Sequence, residues 1–416
     1  MGNSALNLQS PIGVQDNRNE LINGDFNIWQ RGTTVDIRAT DTGYGIAGRS
    51  AGGATQGNKF GADRWRIYLD AKTNGVTAPA MTISRNKMPL GFPSGADRAS
   101  RWYLNIFVGM TGATAGTNNA HEMGGFTGAG HTNDGSFAAL VQDIDDVQTL
   151  EGKTCTLSFW AKSDITNQRV APVLKQCFAG GTAATLLVKG STGNLGFTLD
   201  NTWRQYKTSF NVPSVEGQPL ADGDFEFGSS GDDALQLQLV LHSNGVHGAT
   251  MELGGGAAGP NDGRTGNISF SQIQLEQGSK TTEFDKTNPM TEVALCQRYY
   301  QKTYDLDVTP NTETHNGSHS FETSVHNSVT WSNHFITTMR STPVCVFYDR
   351  YGTGENTVNQ GNGTRYGPNA SYLFVSGECQ TGFLLHCTDM DEMDMPRQQY
   401  YYWHYTADAE LSVDTD

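Results

Sequence analysis

TEVALCQRYYQKTY, Thr291–Tyr304, is the one stretch of this chain that reads clearly as a helix. Val293, Cys296 and Tyr300 fall three and four apart and make a single apolar stripe. Pro289 suits a first helical turn, and Glu292 lies where it can face the positive end of the helix dipole. The spacing predicts a helix over Thr291–Tyr304 that acts as a strap between two β bodies. A surface helix that simply covers a sheet would carry the same pattern. The contrast with its surroundings decides the fold, because nearly everything on either side alternates with period two or is Gly-rich loop.

Toward the N-terminus, LINGDFNIWQRGT (Leu21–Thr33) places Ile22, Phe26 and Ile28 on one parity, with Asn23-Gly24 as a turn signal. DRWRIY (Asp63–Tyr68) puts Trp65 and Ile67 on one face and Arg64, Arg66 and Tyr68 on the other. Met81–Arg85, Trp102–Val108, Thr154–Ser163 and Trp203–Val212 read as further strands. Leu235, Leu237, Leu239 and Leu241 alternate with Gln236 and Gln238, the pattern of a half-buried strand. In NISFSQIQLE (Asn267–Glu276) the apolar parity switches after Ile268 and Phe270 to Ile273 and Leu275. Such a switch predicts a β-bulge near Ser271–Gln272. A parallel sheet would need helices between its strands, and no helical pattern separates these. Thr40–Lys59, Gly109–Gly135 and Gly254–Gly266 read as Gly-rich loops, without the following helix a dinucleotide site requires.

Beyond the strap, Ser328–Met339, Val344–Tyr348, Ser371–Ser376 and Gly382–Thr388 read as a second set of strands. YYYWHY sets Tyr400, Tyr402 and His404 on one face and Tyr401, Trp403 and Tyr405 on the other. Two faces this aromatic are both expected to be covered, one by the domain's own core and one by a partner chain.

A chain of 416 residues is long enough for two or three cores. Its 28 Lys+Arg against 43 Asp+Glu give a net charge of -15 with no clustered cations, which argues against a nucleic-acid partner and against docking on anionic lipid. No apolar run reaches the length of a membrane span, so no membrane insertion is expected. A charged fraction of only 17% with 49 Gly suits short strands and many turns, a composition shared by extracellular β-proteins and virion surface proteins. The opening MGNSALNLQSPIGVQDNRNE lacks the basic patch and apolar core of a signal peptide, and residues 1–20 read as a polar arm. The six cysteines show no metal-ligand spacing and read as free thiols, with Cys155, Cys345 and Cys387 inside apolar runs.

Several of these segments carry a family resemblance. ALCQRYYQK (Ala294–Lys302) resembles a segment that recurs near the C-terminal end of many bacteriophage tail-fibre and head-fibre proteins. NGDFNIWQRGT, GADRWRIY, QDIDDVQTLEGKTCTLSFWAKS, TWRQYKTSF and QIQLEQGSKTTEF occur in this order in many phage fibre proteins. The domain they outline, most of Leu21–Phe284, is similar to the jelly-roll carbohydrate-binding modules of glycoside hydrolases. WHYTADAEL (Trp403–Leu411) resembles the close of fibre C-terminal domains. The expected fold is therefore all-β: a jelly-roll β-sandwich over residues 21–286, a helical connector over 287–304 and a smaller, trimeric C-terminal β-sandwich domain over 305–416. The resemblance implies a virion protein, assembled as a homotrimer in the bacterial cytoplasm. Its arm would hold it to a tail or capsid protein, and it would attach to host-surface glycans. A purely structural capsid decoration protein and a polysaccharide depolymerase are the alternatives.

Sugars are held by flat aromatic faces together with amide and carboxylate hydrogen bonds. Tyr44, Trp102 and Trp331 lie near loops and are the candidate platforms, whereas Trp29, Trp65, Trp160 and Trp203 sit among apolar strand neighbours and read as core. The related modules often hold a structural calcium near the start of their first strand, and the resemblance places Asp25 there. Asn27 stands where many of them carry an acid, a departure from that pattern. No other cofactor is expected. The acidic runs DIDD and TDMDEMDMP each lie on one loop, cannot face each other across a groove as a glycosidase needs, and read as solvated turns. His315, His319 and the other histidines show no HxH or HExxH pattern and read as surface or core. No GxSxG elbow or Cys–His pair appears, and the chain is not expected to be an enzyme.

Overall fold

The structure, a computed structural model, describes residues 18–38, 55–71, 80–90, 100–109, 137–178, 185–189, 196–215, 233–243, 265–322, 329–352, 355, 357–360, 365–366, 373–387 and 399–410. Period-two alternation becomes two antiparallel sheets. Across the first run Thr34–Arg38, Ala80–Lys87, Trp102–Gly109, Gly266–Gln277, Thr154–Ser163 and Arg204–Asn211. Across the second run Phe197–Thr198, Arg169–Cys177, Ala234–Ser243, Phe137–Asp145, Arg66–Ala71 and Thr55–Phe60, with Thr185–Lys189 also paired to Arg169–Cys177. Ile83, Ile106, Phe159 and Phe270 of the first sheet share one core with Ile67, Leu140, Leu174 and Leu237 of the second. Each such side chain contributes about 1.5–3 kcal/mol by leaving water. The fold is an all-β sandwich.

The bulge lies where the parity switch places it. The register against Thr154–Ser163 shifts between Ser271 and Gln274, and Gln272 takes φ 51°. One residue in the left-handed region returns Ile273 and Leu275 to the core behind Ile268 and Phe270.

Three expectations are corrected. Leu21–Thr33 is not a strand; Asn23 and Phe26 take φ 57° and 58°, and the chain turns back on itself before the first strand at Thr34. Ala234–Ser243 is not half-buried, because it is central and paired on both sides, and Gln236 and Gln238 are as inaccessible as the leucines. Gln236 is satisfied there by donating from Nε2 to Asp143 Oδ1 at 2.7 Å. The DIDD run is not a solvated turn as a whole: Asp143 is buried against Arg66 at 2.9 Å, and only Asp146 is exposed. TDMDEMDMP lies outside the described residues.

The helix is also shorter than its stripe. It spans Pro289–Gln297, capped by the Asn288 side chain accepting from Met290 N–H, and Tyr300–Lys302 is already a strand against Tyr400–Asp408. Two arginines from the sandwich capture the tyrosines after the helix. The Arg64 guanidinium lies 3.4 Å from the Tyr299 ring centroid, and that of Arg31 lies 3.7 Å from Tyr300. The same two arginines reach the far end of the chain: Arg31 pairs with Asp408 at 3.0 Å and Glu410 at 3.3 Å, and Arg64 also pairs with Glu410. Arg64 adopts φ 70°, an uncommon state for a non-glycine residue that aims its side chain into this joint.

Tyr400–Asp408 is the axis of the C-terminal sheet. Tyr300–Lys302 and His319–Glu322 pair along one side of it, Val344–Asp349 and Val358–Gln360 along the other. Tyr401, Trp403 and Tyr405 enter a second core with Phe321, Phe347 and Phe383. The opposite face is covered in good part by the chain itself. His404 stacks on Tyr304 at 4.0 Å, and the Arg350 guanidinium lies 4.3 Å from the Tyr402 ring. Val329–His334, Gly382–Cys387 and Leu373–Cys379 form a separate three-stranded sheet. None of the six cysteines is in a disulfide. Among the described residues no helix is long and apolar enough to cross a membrane.

Candidate functional site

Asn23 builds the corner on which the site rests. Its Oδ1 accepts from Ile28 N–H at 3.0 Å, and its Nδ2 donates to the carbonyls of Ile28 and Asp63 at 2.9 and 3.0 Å. A buried asparagine thus replaces the ladder bonds that a strand would have supplied. Phe26, in the left-handed region, is held by Trp29 Nε1 donating to its carbonyl at 2.7 Å and by its ring packing 5.4 Å from Trp65. Gly24 is needed because a Cβ there would strike the Ile273 carbonyl oxygen. Ile273 N–H in turn donates to the Gly24 carbonyl at 2.9 Å. The turn and the bulge therefore hold each other.

Asp25 is carried by this turn into a cleft of about 290 Å³ whose walls include Asn19, Asp25, Asn27, Arg101, Trp102 and Glu292. Trp102 opens its strand half-buried, with the guanidinium of Arg85 4.4 Å and that of Arg101 5.6 Å from its ring centroid. Arg85 is itself anchored by a two-pronged bond to Asp307, at 2.7 and 2.8 Å. Glu292 comes from the first turn of the helix and accepts from Asn23 N–H. Asp285 and Lys286 complete the charged side of the lining.

Burial pushes the Asp25 carboxyl above the ordinary aspartate range, against the pull of Lys286. Burial likewise raises Glu292, aided by the negative charges of Asp25 and Asp285 and opposed by the Asn23 N–H. One indole, two amide side chains and carboxyls able to accept or, when protonated, donate make a set suited to hydroxyl-bearing ligands with an apolar face.

The lining does not fit a calcium ion. Asn27 donates its amide nitrogen to Asp25 where a metal would need an oxygen. Among the described residues no three His, Cys, Asp or Glu side chains gather into a metal site. His319 instead packs 5.1 Å from Trp403 and 5.7 Å from Tyr405, as a half-buried histidine.

Trp102 and Asp25, read separately in the sequence, are therefore brought together. Trp331 is 37% exposed on the three-stranded sheet and does not line the cleft. Tyr44 lies outside the described residues. Trp29 and Trp65 are core, as read, whereas Trp160 and Trp203 are only half-buried. Sequence reasoning missed Glu292 as a lining residue, since its helical position gave it a sufficient role at the dipole. It also missed Arg31 and Arg64, whose partners lie at the other end of the chain.

No family model matches the chain, and no curated protein matches it. Solved structures do align with it at low similarity. The enzymatically active domain of bacteriophage CBA120 tailspike protein 4 aligns with TM-score 0.29 and 11% identity over 63% of this chain. This chain spans only 22% of that tailspike's length. The CBM22-1 xylan-binding domain from Paenibacillus barcinonensis aligns with TM-score 0.24 and 7% identity, over 61% of this chain and 99% of that one. The tandem of two such domains from the same organism aligns with TM-score 0.25 and 8% identity, over 91% and 98%.

Proposed function

We propose that this protein is a virion surface protein of the fibre or decoration type, and that it attaches to the host by binding a glycan in the cleft of Trp102. The observation that carries the reading is the meeting of Trp102 with Asp25, Asn27, Arg101 and Glu292 in one cleft. The order of fibre-like segments along the chain supports the virion setting. A glycan array probed with the full chain tests the binding: retention of a bacterial surface glycan supports it. Failure to retain any glycan, alongside stable capture by capsids, would instead favour a purely structural decoration role.

The protein works as a homotrimer in this reading, with its arm on a tail or capsid protein. Ile336, Val344 and Tyr400, 78%, 45% and 55% exposed, leave apolar surface on the C-terminal body for sister copies. Light scattering should give three times the chain mass of 45.1 kDa; a clean single-chain mass would contradict it.

A depolymerase is the second reading. It is favoured by Asp25 and Glu292, two carboxyls raised by burial in the same cleft. Glycoside hydrolysis needs one carboxyl kept protonated opposite another. Reducing ends released from host polysaccharide would establish hydrolysis, and their absence would leave binding alone.

A further inference from the structure

A second aromatic surface lies away from the cleft. Leu104, Ile106 and Val108 face the core from Trp102–Gly109, as do Leu157, Phe159 and Ala161 from Thr154–Ser163. By alternation Tyr103 and Lys162 project from the outer face of the first sheet. There Tyr103 meets Trp203 edge-on, with ring centroids 5.2 Å apart at 83°. The Lys162 ammonium nitrogen lies 5.3 Å from the Trp203 centroid and 5.8 Å from that of Tyr103. Trp160, on the same face, and Phe107, 36% exposed, extend the aromatic surface.

Lys162 is placed unusually for a chain of net charge -15. Among the described residues its contacts are these two rings, with no carboxylate. Asp164, two residues on, is taken up by Asn267, whose backbone N–H and side-chain amide donate to it at 2.6 and 2.8 Å. Beside the rings runs a polar row in which Ser269 Oγ donates to Asn105 at 2.8 Å and Asn105 donates to Asn267 at 2.9 Å.

The patch lies on the outer face of the sheet, where it offers side chains and not strand backbone, with Trp203 just before the edge strand Arg204–Asn211. An aromatic face suits the C–H face of a sugar ring. A cation held only by rings can still take a carboxylate, the stronger partner. We propose that Tyr103, Lys162 and Trp203 form a subsite for an acidic sugar, a uronic or sialic acid. The C–H face of its ring lies on the indole and its carboxylate pairs with Lys162.

The site is independent of the cleft, and the test keeps them apart. Full-length protein is titrated with polygalacturonate and with polysialic acid, with dextran as the neutral control. At least one acidic polymer should bind, with affinity falling as salt is added. Lys162→Glu should weaken that binding at least tenfold and Lys162→Gln severalfold, with the thermal midpoint unchanged. Trp102→Ala should leave it within twofold; a loss equal to that in Lys162→Glu would assign the binding to the cleft and overturn the proposal. Lys280→Glu, an equal charge change at an exposed position after the bulged strand, should also leave it within twofold. Binding of neither polymer would overturn the proposal, as would full binding by Lys162→Glu or an equal loss in Lys280→Glu.

Discussion

Glu292, in the first turn of the helix, accepts a hydrogen bond from the backbone N–H of Asn23, 269 residues earlier in the turn that opens the sandwich. The connector is thereby part of the cleft wall and not merely a link between two bodies. Removing the carboxylate strands a part-buried N–H. Glu292→Ala should cost about 1–3 kcal/mol in urea denaturation, and Glu292→Gln, which keeps an acceptor, clearly less. Equal losses would show that the acceptor is not what matters.

The joint at the chain's far end should be more sensitive. Glu410 is the shared acceptor of Arg31 and Arg64, and its side chain is 2% exposed. Glu410→Ala leaves the buried Arg64 guanidinium without its carboxylate and takes one of the carboxylates from half-buried Arg31, and should cost about 3–5 kcal/mol. Denaturation of the full chain followed by tryptophan fluorescence measures it; a loss below about 1 kcal/mol would mean that the arginines find other acceptors.

His404 predicts a pH dependence of known sign. Its Nε2–H donates to the Thr314 carbonyl at 3.1 Å, and its Nδ1 shares a hydrogen bond with Thr303 Oγ1 at 2.8 Å. Burial lowers its pKa below the ordinary 6.5. Below pH 6.5 the unfolded chain binds a proton that the folded chain refuses, so stability is lost as pH falls through that window. Asp25, Asp63, Glu292 and Glu410, all raised by burial, act with the opposite sign, so the comparison must be with a variant. His404→Gln should show less loss of stability between pH 7 and pH 5 than the parent chain; an equal loss would remove His404 as the cause.

The bulge was legible because a parity switch leaves a mark in the sequence: Phe270 and Ile273 cannot both face the core without an extra residue. The helix end was not legible. Tyr300 continues the helical stripe, and the partners it meets as a strand residue, Tyr400–Asp408 and Arg31, lie far away in the chain. Trp102 and Asp25 were each visible as residue types, but their meeting depends on the left-handed turn at Asn23, which resembles alternation on paper. Trp203 looked like core because period two says which residues share a face and not whether that face is covered.

The cleft reading is tested most directly by the affinity of Trp102→Ala for a host-surface glycan that the parent chain retains. Trp102 sits half-buried at the start of its strand, so the variant should keep its thermal midpoint within a few degrees. Its affinity should fall at least tenfold, the loss of one aromatic platform worth about 1.4 kcal/mol or more. Undiminished binding by Trp102→Ala would contradict the account.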